Sequence, residues 1–201
     1  MSRLYDYLDS GNGYKVRLLL RQLGLAYTRV DVDILVGASR TAEFLEKNLN
    51  GRIPVLELES GEYLPESNAI LYYLADGTPF LPTERLARAR VLQWMFFEQY
   101  SHEPNIATAR FWLRHVEMDE SQRALLEQKR RLGYAALAVM ERHLAERGFF
   151  VGDTYTIADI ALFAYTHVAP EGGFALNDFP AVCRWIERVR AQPGHLPMSD
   201  A

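Results

Sequence analysis

Residues 10–13 form a short segment whose side chains and backbone could bind a small anion. Ser10-Gly11-Asn12-Gly13 follows a predicted strand and opens a helical pattern, so it brings together a hydroxyl, an amide and unpaired backbone N–H groups. The positive end of the helix dipole stabilises negative charge at such a place. Ser10 is also a favoured helix-capping residue, and its spacing alone favours that structural role.

Two further segments carry groups that could bind a peptide-like or amino-acid-like molecule. In NLNGRIPV (48–55), Pro54 opens a predicted strand after a tight turn, which makes Ile53-Pro54 a candidate cis peptide that would turn the N–H and C=O of Ile53 outward. In PESNAIL, Glu66 could pair with an ammonium group, while Ser67 and the helix start could bind a carboxylate. Taken singly, an ordinary turn and a helix N-cap explain these two segments better.

The elements that must position these segments differ between the two halves of the chain. Alternating and helical patterns predict strand, helix, strand, helix, hairpin and helix within about 75 residues, which indicates a small α/β unit with a mixed sheet. The segment GTPFLP (77–82) is the best linker candidate because it holds two prolines and a glycine. Nearly everything beyond it is helical, including an apolar and therefore buried helix over residues 157–168.

Composition excludes several classes of protein. The 201 residues are 49% hydrophobic and carry a net charge of −4, which disfavours a nucleic-acid partner. The single cysteine, Cys183, excludes an intrachain disulfide and predicts a reducing compartment. Five histidines lack metal-binding spacing, so no metal is expected. No apolar run reaches the ~18 residues of a membrane span, and the N-terminus lacks a signal-peptide pattern, so a cytoplasmic protein without a membrane partner is expected.

Taken together, the three segments resemble the cytosolic glutathione transferase family. The resemblance covers nearly the whole chain and is strongest over residues 4–75, where an Ile-Pro pair is followed by E-S-x-A-I. Thr156 and Asp159 resemble the family's helix-capping box, which is structural. The resemblance implies a thioredoxin-like glutathione-binding domain over 1–77, a linker over 78–84, an all-helical domain over 85–201 and a homodimer.

The resemblance also assigns roles around the thiol of glutathione. Ser10 matches the activating serine of the serine-type branches, and Ile53 before Pro54 matches the backbone clamp on the cysteinyl part. Asn12 stands where some serine-type members carry a cysteine, which argues against a reaction that needs that cysteine, such as maleylacetoacetate isomerisation. Asn12 could itself contact the thiol, so the choice between Ser10 and Asn12 stays open.

The remaining glutathione contacts follow from the same resemblance. Glu66 and Ser67 match the γ-glutamyl site, and Arg40 and Lys47 both lie in the region that often meets the glycine carboxylate.

The aromatic stretch of the helical half is the expected source of an electrophile pocket. Tyr100, His102 and Phe111 are its candidate contacts, although aromatic residues at helical spacing more often belong to a core. The expected function is activation of the glutathione thiol for attack on a small hydrophobic electrophile. A glutathione-dependent peroxidase or disulfide reductase at the same site, and a non-catalytic binding or regulatory module, are the alternatives.

Overall fold

Residues 1–200 are described by a computed structural model and fall into two units, with the final alanine outside the described residues. The first unit comprises Met1–Thr78 together with the terminal residues from Pro193, and the second comprises Pro79–Gln192. The sequence assigned the last residues to the helical domain instead. None of the helices within residues 1–200 combines the length and apolarity needed to cross a bilayer.

The first unit is built on a four-stranded mixed sheet in the order β2-β1-β3-β4. Its elements are β1 (Ser2–Asp6), α1 (Gly11–Leu23), β2 (Tyr27–Asp31), α2 (Ala42–Lys47), β3 (Val55–Glu57), β4 (Tyr63–Pro65) and α3 (Ser67–Ala75), with short 3₁₀ turns at Ile34–Val36 and Ala38–Arg40. Strand β1 is parallel to β2 and antiparallel to β3, and β3 is antiparallel to β4. The predicted α/β order and mixed sheet are therefore confirmed.

Alternation along the strands places a hydrophobic cluster on each face of this sheet. One cluster joins β1, α1, β3 and α3 and contains Leu4, Val16, Leu20, Leu56 and Ile70. The other joins β1, the chain after β2, α2 and β3 and contains Tyr5, Val32, Phe44 and Val55. Helices α1 and α3 consequently cover one face, and α2 covers the other.

Helix α1 begins directly over a buried carboxylate. Ser10 caps the helix by accepting a 3.3 Å hydrogen bond from the N–H of Gly13. A Cβ atom at Gly13 would lie 1.5 Å from Oδ1 of Asp6, so only glycine fits there. Arg17 Nε lies 3.0 Å from Asp6 Oδ2, and both side chains have no exposed surface. Burial raises the pKa of Asp6 to about 6, although the charge of Arg17 opposes this shift.

The C-terminal residues pack against α1. Tyr14 Oη donates a 2.6 Å hydrogen bond to the carbonyl oxygen of Leu196. The guanidinium of Arg17 donates to the carbonyl oxygens of Asp200 and, at 2.6 Å, Leu8. The five donors of an arginine thus connect β1, the turn before α1 and the end of the chain.

The second unit is helical, as the sequence predicts. Its helices are α4 (Arg85–Phe97), α5 (Glu103–His115), α6 (Glu120–Leu144), α7 (Ile157–Thr166) and α8 (Pro180–Arg190), with a 3₁₀ turn at Ala169–Gly172. A π-helical turn, Glu98–His102, joins α4 to α5, and Pro104 lies in the first turn of α5, where its missing N–H breaks no hydrogen bond. Every residue of α7 is buried, which confirms the predicted central helix.

The predicted capping box at the start of α7 is confirmed. The Thr156 side chain accepts from the helix backbone, and the Asp159 carboxylate accepts from the Thr156 N–H at 3.0 Å. Asp159 also accepts hydrogen bonds from Phe150 N at 3.1 Å and Trp185 Nε1 at 2.9 Å. Its complete burial raises its pKa to about 6, with these hydrogen bonds opposing the shift.

The raised pKa of Asp159 predicts a specific pH dependence of stability. Because the folded pKa lies above the ordinary value of 3.8, the folded chain keeps this proton at pH values where the unfolded chain has released it. The resulting stabilisation, about 3 kcal/mol, is present below about pH 4 and is lost as the pH rises to about 6. Asp159→Asn removes this titration, so urea unfolding between pH 4 and 7 should show a smaller decline than in the wild type. Equal declines in both proteins would contradict the assignment.

Candidate functional site

The register of the sheet brings the three chemistry-bearing segments to one edge. Val55, the first residue of β3, pairs with Tyr5 near the end of β1 and with Pro65 at the end of β4. Because β3 runs antiparallel to both neighbours, the chain leaves β1 and β4 at the edge where it enters β3. The segments that begin at Ser10, end at Pro54 and begin at Glu66 therefore lie side by side.

The first turn of α1 is an electropositive place. The Ser10 side chain is half-buried, and its oxygen accepts from Gly13 N, which leaves the hydroxyl hydrogen as a donor. The first turn holds no acidic side chain, and the Asp6 carboxylate beneath it is paired with Arg17, so the positive end of the helix dipole remains able to attract an anion. A hydroxyl donor and a helix N-terminus can together stabilise a thiolate or another anion.

The segment before β3 presents a cis peptide next to an ordered turn. Ile53-Pro54 is cis, as the sequence proposed. Asn48 is buried and holds the preceding turn, since its Nδ2 donates to Arg52 O at 2.8 Å and its Oδ1 accepts from Asn50 N at 3.0 Å. The cis bond therefore directly follows a turn that the Asn48 side chain braces with two hydrogen bonds.

The start of α3 combines an unusual backbone with an exposed carboxylate. Glu66 has φ of 71°, which makes it the only non-glycine residue with positive φ among the described residues. Its side chain is exposed and makes no capping hydrogen bond to α3. Such conformations in non-glycine residues cluster at ligand-binding sites. Ser67 follows as the first helical residue and is buried.

A buried lysine joins the starts of α1 and α3. Lys15 has no exposed surface, and its Nζ donates to Asn12 Oδ1 at 2.8 Å and to Ser67 Oγ at 3.4 Å. Ser67 Oγ in turn donates to Asn12 Oδ1 at 3.3 Å. The structure thus brings two predicted site residues, Asn12 and Ser67, into direct contact.

Arg40 lies beside the turn that precedes the cis peptide. Its Nη1 donates to the carbonyl oxygen of Asn50 at 2.8 Å, and the side chain is exposed. Gly51 has φ of 61°, and a Cβ atom there would approach Arg40 Nη1 to 2.7 Å. Lys47, the other candidate, instead pairs with Glu43 on its own helix at 3.3 Å. The role of either cation at the glycine carboxylate stays a prediction.

The three candidate pocket residues of the helical unit lie in three different environments. Tyr100 is 88% exposed and lines a cavity of about 530 Å³. One wall of this cavity is formed by the π-helical turn and the start of α5, and the other wall by α6. His102 is completely buried, and its Nε2 lies 2.9 Å from Thr166 Oγ1. Phe111 is partly exposed and packs against His115. The role of these residues as an electrophile pocket stays a prediction.

Sequence reasoning missed two residues that organise the site. Lys15 carries a signal, because it and Arg17 are cations within a run of α1 residues that is otherwise apolar. Asn48 also carries one, since asparagine hydrogen-bonds the backbone two residues ahead in turns. No group of three or more histidine, cysteine or acidic residues within residues 1–200 is placed to bind a metal ion.

Comparison with known proteins identifies the family. The N-terminal domain of glutathione S-transferase matches residues 2–76, and its C-terminal domain matches residues 104–193. A crystal structure of a glutathione S-transferase from Pseudomonas fluorescens is 53% identical, with a TM-score of 0.97 and 99% of each chain covered. The chain belongs to the glutathione S-transferase family. The resemblance given by the sequence motifs is thereby confirmed.

Two other similar proteins have lower sequence identity to this chain. A glutathione transferase from Burkholderia graminis is 30% identical with a TM-score of 0.84, over 96% of this chain and 85% of that one, and holds two glutathione molecules per subunit. The protein URE2 of Candida glabrata is 30% identical over 94% of this chain. The present chain spans 65% of the length of that URE2 protein.

The exposed carboxylate of Glu66 yields a direct binding prediction. Glu66→Gln keeps the size of the side chain but removes the charge that would pair with the ammonium group of glutathione, so the Kd measured by calorimetry should rise about tenfold. Glu62→Gln makes the same change on the exposed turn between β3 and β4 and should leave the Kd unchanged. Equal affinities for both variants would remove Glu66 from the site.

Proposed function

We propose that this protein is a glutathione transferase that binds glutathione in its first unit and activates the thiol for attack on a small hydrophobic electrophile. One observation carries the proposal. The Ser10 hydroxyl caps a helix whose first turn lacks acidic residues, at the sheet edge shared by the cis peptide and Glu66. Such an edge offers donors for a thiolate beside groups that suit a peptide backbone and an amino-acid head.

The energetics of this arrangement are sufficient for thiol activation. A free thiol of pKa ~8.5 is only about 3% ionised at pH 7, and lowering its pKa by ~2 units requires about 2.7 kcal/mol. One hydrogen bond to the charged sulfur supplies about 1.5–3 kcal/mol. The helix N-terminus adds about 0.3–1 kcal/mol. Ser10 with the first turn of α1 can therefore ionise the thiol without a protein base or a metal.

Each part of the tripeptide has a proposed partner. The γ-glutamyl ammonium pairs with Glu66, and its carboxylate binds Ser67 and the N-terminus of α3. The cysteinyl backbone pairs with Ile53 before Pro54. The glycine carboxylate meets Arg40. The thiolate then forms a carbon–sulfur bond to the electrophile, which releases an anionic leaving group or accepts a proton after addition. The family resemblance extends this proposal to a cytoplasmic homodimer.

Substitution of the two candidate thiol partners tests which one acts. If Ser10 donates to the sulfur, Ser10→Ala should lower kcat/KM for conjugation of an activated aryl halide at neutral pH about a hundredfold and raise the pKa of its pH profile. Asn12→Ala should then have a smaller effect. Ser60→Ala, on an exposed turn, is the matched control and should retain full activity. The reverse ranking would transfer the role to Asn12, and wild-type binding without turnover would favour a binding module.

Thiol–disulfide exchange is a second candidate at the same site. The similar Burkholderia protein holds two glutathione molecules per subunit, and a reaction that forms oxidised glutathione joins two glutathione molecules. In this reaction the activated thiolate attacks a glutathione mixed disulfide, forming oxidised glutathione and releasing the other thiolate, so electrons balance without a protein cysteine. This reaction does not need Cys183, which is half-buried in α8 and donates a 3.4 Å hydrogen bond from its thiol to Leu176 O.

Turnover of a mixed disulfide separates the two candidates. If exchange is the main activity, kcat/KM for hydroxyethyl disulfide with glutathione should exceed that for aryl-halide conjugation by at least about tenfold. Cys183→Ser should retain the exchange, while Ser10→Ala should lose it, since the attacking thiol comes from glutathione. Loss of exchange in Cys183→Ser would show that the protein supplies a sulfur of its own.

A further inference from the structure

Lys15 is an unusual residue for the interior of a small α/β unit. It is the fifth residue of α1, its side chain has no exposed surface, and its neighbours Tyr14 and Val16 are equally buried. A lysine amine is rarely buried to this degree, because an ammonium group loses its hydration there. Its compensation includes hydrogen bonds to two side chains, Asn12 and Ser67, and both belong to the candidate glutathione site.

The chemistry of the amine fixes the orientation of the Asn12 amide. An ammonium group has three donors and no acceptor, so the Asn12 atom 2.8 Å from Lys15 Nζ must be the oxygen. The Ser67 hydroxyl donates to the same oxygen at 3.3 Å. Asn12 Nδ2, which is the donor end of the amide, is therefore the end turned away from Lys15. Loss of the lysine would remove the shorter of these two hydrogen bonds to the Asn12 oxygen.

The same amine also acts on the other half of the site. Lys15 Nζ donates to Ser67 Oγ at 3.4 Å, at the first residue of α3. Since Asn12 lies in the first turn of α1, one buried group connects two helix starts that the sheet alone brings only to the same edge. One lysine thus makes hydrogen bonds to side chains of two different helices, Asn12 in α1 and Ser67 in α3.

We infer that Lys15 is a positioning residue: it orients Asn12 at the thiol end and Ser67 at the γ-glutamyl end of bound glutathione. This inference rests on the proposed function and deepens it. Lys15 lies behind the two side chains and acts through them rather than on the tripeptide. Its loss should disturb thiol ionisation and tripeptide affinity together, whereas loss of either partner alone should disturb chiefly one of them.

Lys15→Met tests this role with little change in shape, because methionine keeps an unbranched stem and has no hydrogen-bond donor. Two quantities are measured in the full chain: the pKa of bound glutathione, from thiolate absorbance, and the Kd of S-methylglutathione, which has no free thiol. We expect the thiol pKa to rise by about one unit, from about 6.5 to about 7.5, which lowers the thiolate fraction at pH 7 about threefold, and the Kd to rise several-fold. Lys15→Gln, which keeps an amide donor, is the second variant if the methionine variant does not fold.

The Asn12→Ala background decides whether Lys15 acts through Asn12. If it does, Lys15→Met should cause no further rise of the thiol pKa when Asn12 is already absent. A rise of the same size in both backgrounds would show that the lysine acts by its charge alone and would overturn the positioning role.

Leu20→Ala serves as the control for a merely structural effect. Leu20 is buried on the same helix and contacts neither Asn12 nor Ser67 by hydrogen bonds, so its truncation should lower the Tm and leave the thiol pKa unchanged. A wild-type protein that binds glutathione while Lys15→Met matches it in both readouts refutes only this inference. A wild type that fails to bind glutathione refutes the proposed function and the inference together.

Discussion

The packing of α1 on Asp6 constrains everything at the site edge of the sheet. Because the carboxylate occupies the space where a side chain at position 13 would lie, the first turn of the helix comes down close to the end of β1. The ion pair with Arg17 keeps that buried carboxylate compensated, and a buried charge without a partner would cost several kcal/mol. The electropositive end of the helix is thus held one short turn beyond the strand that pairs with β3.

The pairing register of the strands then determines which chain segments meet at the candidate site. The antiparallel pairings of β3 with β1 and β4 set Tyr5, Val55 and Pro65 in one row, and each chain segment beyond that row carries part of the site. Hydrogen bonds then refine the positions: Asn48 orders the turn before the cis peptide, and Lys15 joins the two helix starts. Strand pairing sets the separation of the segments, and buried polar side chains set the orientation of their functional groups.

The sequence predicted the elements better than the contacts between them. Local patterns were sufficient for β1, α1, the β3–β4 hairpin and α3, because periodicity, capping residues and turn residues act over a few positions. The local pattern made the Ile53-Pro54 bond only a candidate cis peptide, and the capping box of Thr156 and Asp159 was expected from the family resemblance; the structure contains both. The docking of the last residues on Tyr14 and Arg17 was not predicted, since it joins positions about 180 apart and carries no local pattern. The burial of His102 beside Thr166 likewise depends on how α7 packs, which helical spacing alone does not specify.

The location of the proposed glutathione residues in one unit bears on which reaction the protein catalyses. All residues proposed to hold glutathione lie within Met1–Thr78, and so do the groups that orient them. In both proposed reactions a glutathione thiolate attacks carbon or sulfur with the same lone pair, so thiolate formation does not select between conjugation and disulfide exchange. Under this proposal, the choice between the two reactions comes from the residues that bind the second reactant, because the fold alone does not fix the activity.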